Sequence, residues 1–233
     1  MEKFIKKGQI IVGLDFDNSR SAIEITKLLN PENYKVKVGN QLFTACGPNI
    51  LEDLKMQGFD IFLDLKYHDT PNTVEKAILE ACKQNVWMTN IHLSGGMSMI
   101  EAAVNAKNSI SSEILLIGVT VLTSLDQNDL FDIGVNKDLK DQINSLYNLG
   151  KKAGIDGIVC SPKDLAFLKD EEIGSLISVC PGIRVLAESG GQKRTSTIYD
   201  AIHMGADYLV VAREIISSSN PLQVINDIDS NFI

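Results

Sequence analysis

Short apolar runs alternate with amphipathic segments along the whole 233-residue chain. The apolar runs are rich in Ile, Val, Leu and Phe, and such near-continuous runs are typical of strands buried on both faces of a parallel sheet. Eight runs are predicted to be strands: Ile10–Asp15, Tyr34–Val38, Asp60–Lys66, Trp87–Leu93, Ile114–Thr120, Gly157–Cys160, Leu176–Cys180 and Tyr208–Ala212.

The segments between these strands carry apolar residues at helical spacing. The predicted helices are Ser19–Leu29, Ile50–Gln57, Val74–Gln84, Met97–Ala106, Leu139–Ala153 and Thr195–Met204. Gly58, Gly154 and Gly205 follow helical patterns directly, where a glycine often ends a helix. Alternating strands and helices of this number favour an α/β fold, a (β/α)₈ TIM barrel. Because the sequence contains no linker-like or low-complexity stretch, residues 1–233 are predicted to form a single domain.

An open doubly wound sheet is the alternative architecture for the same alternation of elements. A dinucleotide-binding version would carry Gly-x-Gly-x-x-Gly after its first strand, and this chain has no such motif there.

Composition narrows the classes of partner. The formal net charge is −8, from 22 basic and 30 acidic residues, which argues against nonspecific nucleic-acid binding but leaves an anionic small molecule open. No apolar run approaches membrane-spanning length, and residues 1–7 lack the apolar region of a signal peptide. Cys46, Cys82, Cys160 and Cys180 are widely spaced, which is typical of reduced cysteines. A cytoplasmic protein without a membrane partner is therefore expected.

The densest cluster of charged and polar residues lies at the end of the third predicted strand and just after it. Its polar residues are Asp64, Lys66, Asp69, Thr70, Asn72 and Thr73. Asp64 and Lys66 are two positions apart, so on a strand both side chains point to one face. Charges at the end of a buried strand are costly unless they are paired or used. A plain surface ion pair is the alternative for one Asp–Lys pair, but the larger cluster favours a functional site.

Other strand ends add polar groups that a barrel would bring to one mouth, where barrel enzymes carry their chemistry. These groups are Asp15, Lys37, Thr123, Arg184 and Arg213. The glycine-rich stretch 188–194, which includes Gln192, follows the seventh strand and offers backbone N–H groups to an anion. In barrels, phosphate often binds between the loops after strands seven and eight. A surface turn and a surface arginine are the alternatives for these two features.

Histidines give little support for a metal site. No pair of histidines has the spacing of a zinc site. His68 lies inside the charged cluster, as either a general acid or a hydrogen-bonding scaffold.

On these residues the chain resembles the orotidine 5′-phosphate decarboxylase family, of the compact bacterial type, over nearly its whole length. The matching segments are Leu14-Asp15, 35–39, 58–73, 120–124, Pro181–Arg184 and Val211–Arg213. The Asp-x-Lys-x-x-Asp core at 64–69 also occurs in sugar-phosphate decarboxylases and synthases on related barrels. Joined to Lys37 and to Pro71-Asn72-Thr73, it is a highly specific motif.

The resemblance implies decarboxylation of orotidine 5′-monophosphate to UMP and CO₂, the final step of de novo pyrimidine nucleotide synthesis, with no metal or organic cofactor. It implies that Lys37, Asp64, Lys66 and Asp69 are catalytic. Asp64 would lie against the substrate carboxylate, and Lys66 would deliver the proton to the ring carbon.

The resemblance also implies the binding residues. Asp15 and Lys37 would hold the ribose, Thr123 the pyrimidine, and Arg184, Gln192 and Arg213 the 5′-phosphate. Asp69 and Thr70, followed by Asn72 and Thr73, would reach the neighbouring subunit's site, which makes a homodimer with shared active sites. Ala212 stands where the family usually has glycine, and its N–H is expected to remain available to phosphate. The stretch between Arg184 and Gln192 is about one residue shorter than usual.

Two other functions fit parts of this pattern. One is a sugar-phosphate enzyme that binds Mg²⁺ through carboxylates, from which Lys37 and independence of metal would distinguish a pyrimidine decarboxylase. The other is a non-catalytic barrel that senses a nucleotide, against which the retained Lys66 argues.

Overall fold

The structure of the protein, a computed structural model, describes residues 5–111, 113–168, 176–185 and 196–233. Its strands are β1 (Ile10–Gly13), β2 (Tyr34–Gly39), β3 (Ile61–Tyr67), β4 (Met88–His92), β5 (Leu115–Val119), β6 (Gly157–Val159), β7 (Ile177–Cys180), β8 (Ile183–Arg184), β9 (Ser196–Thr197) and β10 (Tyr208–Val211).

Eight parallel strands close into a barrel in the order β1-β10-β7-β6-β5-β4-β3-β2. Because β1 pairs with both β2 and β10, the sheet has no open edge at this point. The (β/α)₈ prediction is therefore confirmed, and the open doubly wound alternative is wrong. Each predicted strand begins and ends within two residues of the corresponding ends of a barrel strand. The short strands β8 and β9 form a separate two-stranded ladder after β7.

The helices alternate with the strands and pack outside them. They are α1 (Ser19–Thr26), α2 (Asn40–Cys46), α3 (Asn49–Met56), α4 (Pro71–Lys83), α5 (Met97–Ile110), α6 (Gln127–Asp132), α7 (Leu139–Ala153), α8 (Pro162–Leu168), α9 (Ile198–His203), α10 (Arg213–Ile216) and α11 (Pro221–Asn231).

Within the described residues, all six predicted helices are present, together with five further α-helices. Of these, α2, α6 and α10 each bury a single side chain, which is too little for a helical period in the sequence. The signal for α11 was present, because Asn220 caps a helix that begins with Pro221. Thr195, the predicted first residue of the sixth helix, lies outside the described residues, and α9 begins after Thr197.

Two layers of apolar side chains make the core. The barrel interior is filled by one residue from each of six strands: Ile11, Phe62, Met88, Ile117, Val179 and Val210. The larger layer lies between the barrel and its helices. Along β3, Ile61 and Leu63 belong to that outer layer, whereas Phe62 faces the interior. This alternation turns the next even-numbered residue, Asp64, toward the barrel mouth.

The structure also bears on cysteines and membrane segments. All four cysteines are free, and Cys82, Cys160 and Cys180 are buried. In the described ranges, no helix combines the length and the apolar character needed to cross a membrane.

A buried ion pair ties α5 to the start of β6. Lys107 on α5 is 3% exposed, and its Nζ lies 3.0 and 3.2 Å from the carboxylate oxygens of Asp156. Asp156 Oδ2 also accepts a hydrogen bond from the N–H of Leu116 at 2.7 Å. Removing Asp156 would leave a buried ammonium and a strand N–H without their partner.

Asp156→Ala is expected to lower the free energy of unfolding by about 3 kcal/mol in urea titrations, because breaking a buried ion pair leaves the remaining charge buried without a partner. Glu80→Ala is the matched control, since it removes an exposed pair with Lys83 on α4. That control is expected to cost less than about 0.5 kcal/mol. Equal costs for the two variants would show that the Lys107 pair is no more important than a surface contact.

Candidate active site

Four charged side chains form a continuous row at the barrel mouth, alternating in sign. Lys37 Nζ lies 3.1 Å from Asp15 Oδ1 and 3.3 Å from Asp64 Oδ2. Lys66 Nζ lies 2.6 Å from the other oxygen of the Asp64 carboxylate. The strands β1, β2 and β3 are neighbours in the barrel, so their ends bring together residues far apart in sequence.

The centre of this row is withdrawn from water. The side chains of Lys37 and Asp64 are 11% and 9% exposed, whereas those of Lys66 and Asp15 are 29% and 44% exposed. Burial alone would lower the pKa of Lys37, but the carboxylates of Asp64 and Asp15 outweigh it and raise the pKa above its usual 10.5. Lys37 is therefore a fixed cation at neutral pH. Its contribution to stability is present below pH 10.5 and is lost as the pH rises through the raised pKa.

The backbone of β3 is irregular where its charged residues lie. Lys66 has φ = +51°, in the left-handed region, although it is not a glycine. The ladder to β4 loses its register between Leu63 and Tyr67. Such a conformation costs about 1–3 kcal/mol and persists only where its surroundings hold it. Asp64 and Lys66 nevertheless share the inner face of β3, as the alternation predicts.

Asn90 supports this irregular backbone and was missed by the sequence analysis. Its side chain is wholly buried, donates from Nδ2 to Asp64 Oδ1 at 2.7 Å, and accepts from the N–H of Lys66 at 2.8 Å. The signal was an asparagine in the middle of a predicted buried strand, because a buried amide must find hydrogen-bond partners.

Two cavities that share lining residues flank the charged row. The smaller has a volume of about 160 Å³, and Thr123 is one of its lining residues. Its walls are mostly apolar, from Phe62, Val119, Val121, Leu122, Val159, Val179 and Val210. The larger, of about 650 Å³, contains Asp15, Arg184, Ala212 and Arg213. Both are lined by Lys37 and Asp64, so the row stands between them. A ligand with a flat ring at one end and an anionic group at the other fits this division.

Arg184 and Arg213, the two arginines predicted after strands seven and eight, both line the larger cavity. Arg184 is the last residue of β8, and Arg213 begins α10 directly after Ala212. A Cβ on Gly13 would come 2.8 Å from the Cβ of Ala212, so glycine is required at 13 for β1 and the end of β10 to approach. Gln192 lies outside the described residues.

Glu214 is a second residue that the sequence analysis missed, and it lies at the larger cavity. Its carboxylate accepts a hydrogen bond from the N–H of Val185 at 2.5 Å. This contact ties the residue after Arg184 to the residue after Arg213. The sequence offers no periodic signal for it, because the pairing depends on how the two loops meet.

The remaining predicted residues do not line these two cavities. Asp69, Thr70, Asn72 and Thr73 are exposed beyond the end of β3. Asp69 Oδ1 accepts from the N–H of Thr70 at 2.5 Å, and the hydroxyls of Thr70 and Thr73 are 3.0 Å apart. A single chain therefore presents these side chains to its surroundings rather than to its own site.

Two histidines stand beside the charged row. The rings of His68 and His92 are 5.4 Å apart. Burial lowers the pKa of His92, and the neighbouring His68 and Lys66 lower it further, so His92 is neutral at pH 7. Within residues 5–111, 113–168, 176–185 and 196–233, no three His, Cys, Asp or Glu side chains are grouped to hold a metal ion.

Comparison with known proteins agrees with this geometry. The model of the "Orotidine 5'-phosphate decarboxylase / HUMPS family" matches residues 8–228. The orotidine 5′-phosphate decarboxylase of Pseudoalteromonas translucida is 43% identical over 98% of each chain, and that of Marinomonas sp. is 43% identical over 95% of each.

Solved structures agree as well. The crystal structure of orotidine 5′-phosphate decarboxylase from Lactobacillus acidophilus superposes with a TM-score of 0.85 at 32% identity, covering 97% of this chain and 99% of that one. An uncharacterized conserved protein from Geobacillus kaustophilus gives a TM-score of 0.81 at 30% identity, covering 96% and 100%. With a closed barrel, a charged row at its mouth and relatives matched along almost their whole length, the chain belongs to the orotidine 5′-phosphate decarboxylase / HUMPS family.

Proposed function

We propose that this protein is an orotidine 5′-monophosphate decarboxylase, a carbon–carbon lyase that makes UMP and CO₂ in the last step of pyrimidine nucleotide synthesis. The observation that carries the proposal is the Asp64 carboxylate held between two lysines. Lys37 contacts one oxygen and Lys66 the other, and both lysines line the smaller cavity. This arrangement puts fixed positive charge beside an apolar pocket of a size suited to a pyrimidine ring.

The chemistry requires such a charge. Loss of CO₂ from a ring carbon without an electron sink leaves a poorly delocalised carbanion. An ammonium already fixed beside that carbon stabilises the negative charge and then supplies the proton. In our proposal Lys66 has both roles. Asp64 faces the substrate carboxylate, and the repulsion between them ends once CO₂ leaves.

The two cavities suggest how the nucleotide binds. The pyrimidine enters the smaller cavity near Thr123, and Asp15 and Lys37 hold the ribose between the cavities. The phosphate lies in the larger cavity, held by Arg184, Arg213, the N–H of Ala212 and, from its sequence position, Gln192. Guanidinium groups suit this end because they bind two phosphate oxygens at once. Binding energy from the phosphate is then available for closing the site.

A sugar-phosphate enzyme of the same family would use carboxylates to bind Mg²⁺. Here both oxygens of Asp64 already contact cationic or amide donors, from Lys37, Lys66 and Asn90. This arrangement favours the cofactor-free decarboxylation. In keeping with it, we propose a cytoplasmic enzyme that acts on a small nucleotide rather than on nucleic acid or a membrane.

EDTA-treated, dialysed protein is expected to decarboxylate orotidine 5′-monophosphate at the same rate as untreated protein, followed by the loss of the substrate's ultraviolet absorbance. The physical reason is that Lys66, not a metal, carries the positive charge. A hexulose phosphate with added Mg²⁺ is the comparison substrate. Turnover of that sugar alone, or loss of decarboxylation with EDTA, would contradict the proposal.

Arg213→Ala is expected to lower kcat/KM for orotidine 5′-monophosphate on the order of a hundredfold. The kcat/KM for the nucleoside orotidine should change little, because orotidine has no phosphate for the guanidinium to bind. Measuring both substrates with both proteins separates a phosphate contact from general damage. Arg20→Ala is a matched control, because Arg20 is an exposed arginine on α1 paired only with Glu24 among the ion pairs described. An equal fractional loss on both substrates would exclude a phosphate role.

We further propose a homodimer in which Asp69, Thr70, Asn72 and Thr73 enter the partner's active site. The support is their exposure directly after a strand whose inner face carries Asp64 and Lys66. In an isologous dimer the same loop of each subunit meets the other, so both sites are completed at once.

A further inference from the structure

Asn90 joins the two side chains that the proposed mechanism uses most. Its Nδ2 donates to Asp64 Oδ1 at 2.7 Å, while its Oδ1 accepts from the backbone N–H of Lys66 at 2.8 Å. We propose that Asn90 is a positioning residue, which fixes the Asp64 carboxylate and the Lys66 backbone in the geometry that decarboxylation needs. The inference rests on the decarboxylase function proposed above.

The chemistry of the two partners determines the orientation of the amide. A carboxylate oxygen only accepts, so the NH₂ group of Asn90 must face Asp64. A backbone N–H only donates, so the carbonyl oxygen of Asn90 must face Lys66. A flipped amide would oppose like groups at both ends. Asn90 is 0% exposed, so each end depends on a protein partner rather than on bulk water.

Asn90 also stands where the β3–β4 ladder is interrupted. The ladder pairs Leu63 with Thr89, and it resumes only where Tyr67 pairs with Ile91. Lys66, with its φ of +51°, lies inside this interval. The amide oxygen of Asn90 accepts the Lys66 N–H within this interval. It therefore helps to hold a left-handed backbone that a lysine would otherwise leave.

The consequence for catalysis lies in where the Lys66 ammonium points. From this backbone, its Nζ reaches Asp64 Oδ1, the same oxygen that accepts from Asn90. Asn90 is uncharged, so it orients the carboxylate without adding to the alternating charges. Once Lys66 has given up its proton, Asn90 continues to donate to Asp64 and keeps the carboxylate in place.

The first test compares Asn90→Ala with Thr89→Val. Thr89 is equally buried on the same strand, and its hydroxyl donates to the carbonyl of Leu63 at 3.1 Å, away from the charged row. Asn90→Ala is expected to lower kcat about 10- to 100-fold, as small misplacements of reacting groups do. KM should change less than about threefold, because the phosphate end is untouched. Thr89→Val is expected to retain wild-type kcat. Titration with UMP counts the folded sites in each preparation.

The second test uses the near-isosteric Asn90→Asp. When protonated, the introduced carboxylic acid donates to Asp64 and accepts from the Lys66 N–H, as the amide does. When ionised, it has no proton to donate and repels Asp64. The kcat of this variant relative to wild type should therefore rise as the pH is lowered, with the largest deficit at high pH. A merely structural role for Asn90 predicts a constant ratio across the pH range.

The third measurement does not depend on turnover, so it separates this inference from the proposed function. A crystal structure of Asn90→Ala is expected to show Lys66 out of the left-handed region and its Nζ displaced from Asp64. Failure of the wild-type protein to decarboxylate orotidine 5′-monophosphate would refute the function alone. A Lys66 backbone unchanged in Asn90→Ala, kcat within about threefold of wild type, or a pH-independent ratio for Asn90→Asp would each overturn the positioning role.

Discussion

Lys66→Ala is expected to lower kcat for orotidine 5′-monophosphate on the order of a thousandfold or more, while the protein stays folded. The variant removes the cation that, in the proposed mechanism, stabilises the carbanion and then donates the proton. Lys37 remains, but it already contacts Asp15 as well as Asp64 and is largely buried, so it is poorly placed to deliver a proton.

The fold should tolerate this change for reasons visible at the site. The Lys66 side chain is 29% exposed, and Asp64 keeps its contacts with Lys37 and Asn90 after the substitution. Alanine has a Cβ like lysine, so the left-handed backbone at 66 gains no new penalty. Thermal unfolding and UMP affinity provide the controls. A well-folded Lys66→Ala protein with near-normal kcat would exclude the proposed role of Lys66.

Lys35→Ala is a matched comparison on the neighbouring strand. Lys35 lies on β2 and, like Lys66, pairs with an aspartate, in this case Asp60. Its ammonium lies over the ring of Trp87. It is absent from both cavities beside the charged row. Loss of this lysine is expected to reduce stability and leave kcat unchanged, which separates the loss of any buried ammonium from the loss of Lys66.

The barrel was predictable because its parallel strands are buried on both faces. That burial produces short apolar runs with clear ends, and the glycines at 58, 154 and 205 mark where the preceding helices stop, each with a positive φ. The row of charges was also predictable in part. Once strands are parallel and closed, Asp15, Lys37 and Asp64 must meet at one end, however distant they are in sequence.

The local geometry of the site was not predictable in the same way. The left-handed backbone at Lys66 and the interrupted ladder lie where the Lys66 N–H contacts Asn90 on the neighbouring strand, and neither changes the hydrophobic period of β3. The contact between Glu214 and the N–H of Val185 likewise depends on two loops meeting. Short helices such as α6 bury too few residues to leave a pattern, although the Asp126–Asp129 capping box marks its start.

Mixing two inactive variants is expected to restore about a quarter of wild-type activity if the active sites are shared between subunits. The variants are Lys66→Ala and Asp69→Ala, and each homodimer should be nearly inactive. Asp69 is exposed beyond the end of β3, and its proposed role is in the partner's active site. In the proposed dimer, Asp69 of one subunit would flank Lys66 of the other, and its loss would remove that negative charge.

The expected fraction follows from where each lesion falls. In a mixed dimer, one site combines Ala at 66 with Ala at 69, and the other contains Lys66 from one chain and Asp69 from its partner. Random reassortment makes about half of the dimers mixed, each with one intact site of two. If Asp69 acts within its own chain, every site retains one lesion and mixing restores nothing. Pull-down of differently tagged subunits measures the exchange directly, so an inactive mixture with complete exchange would refute the shared site.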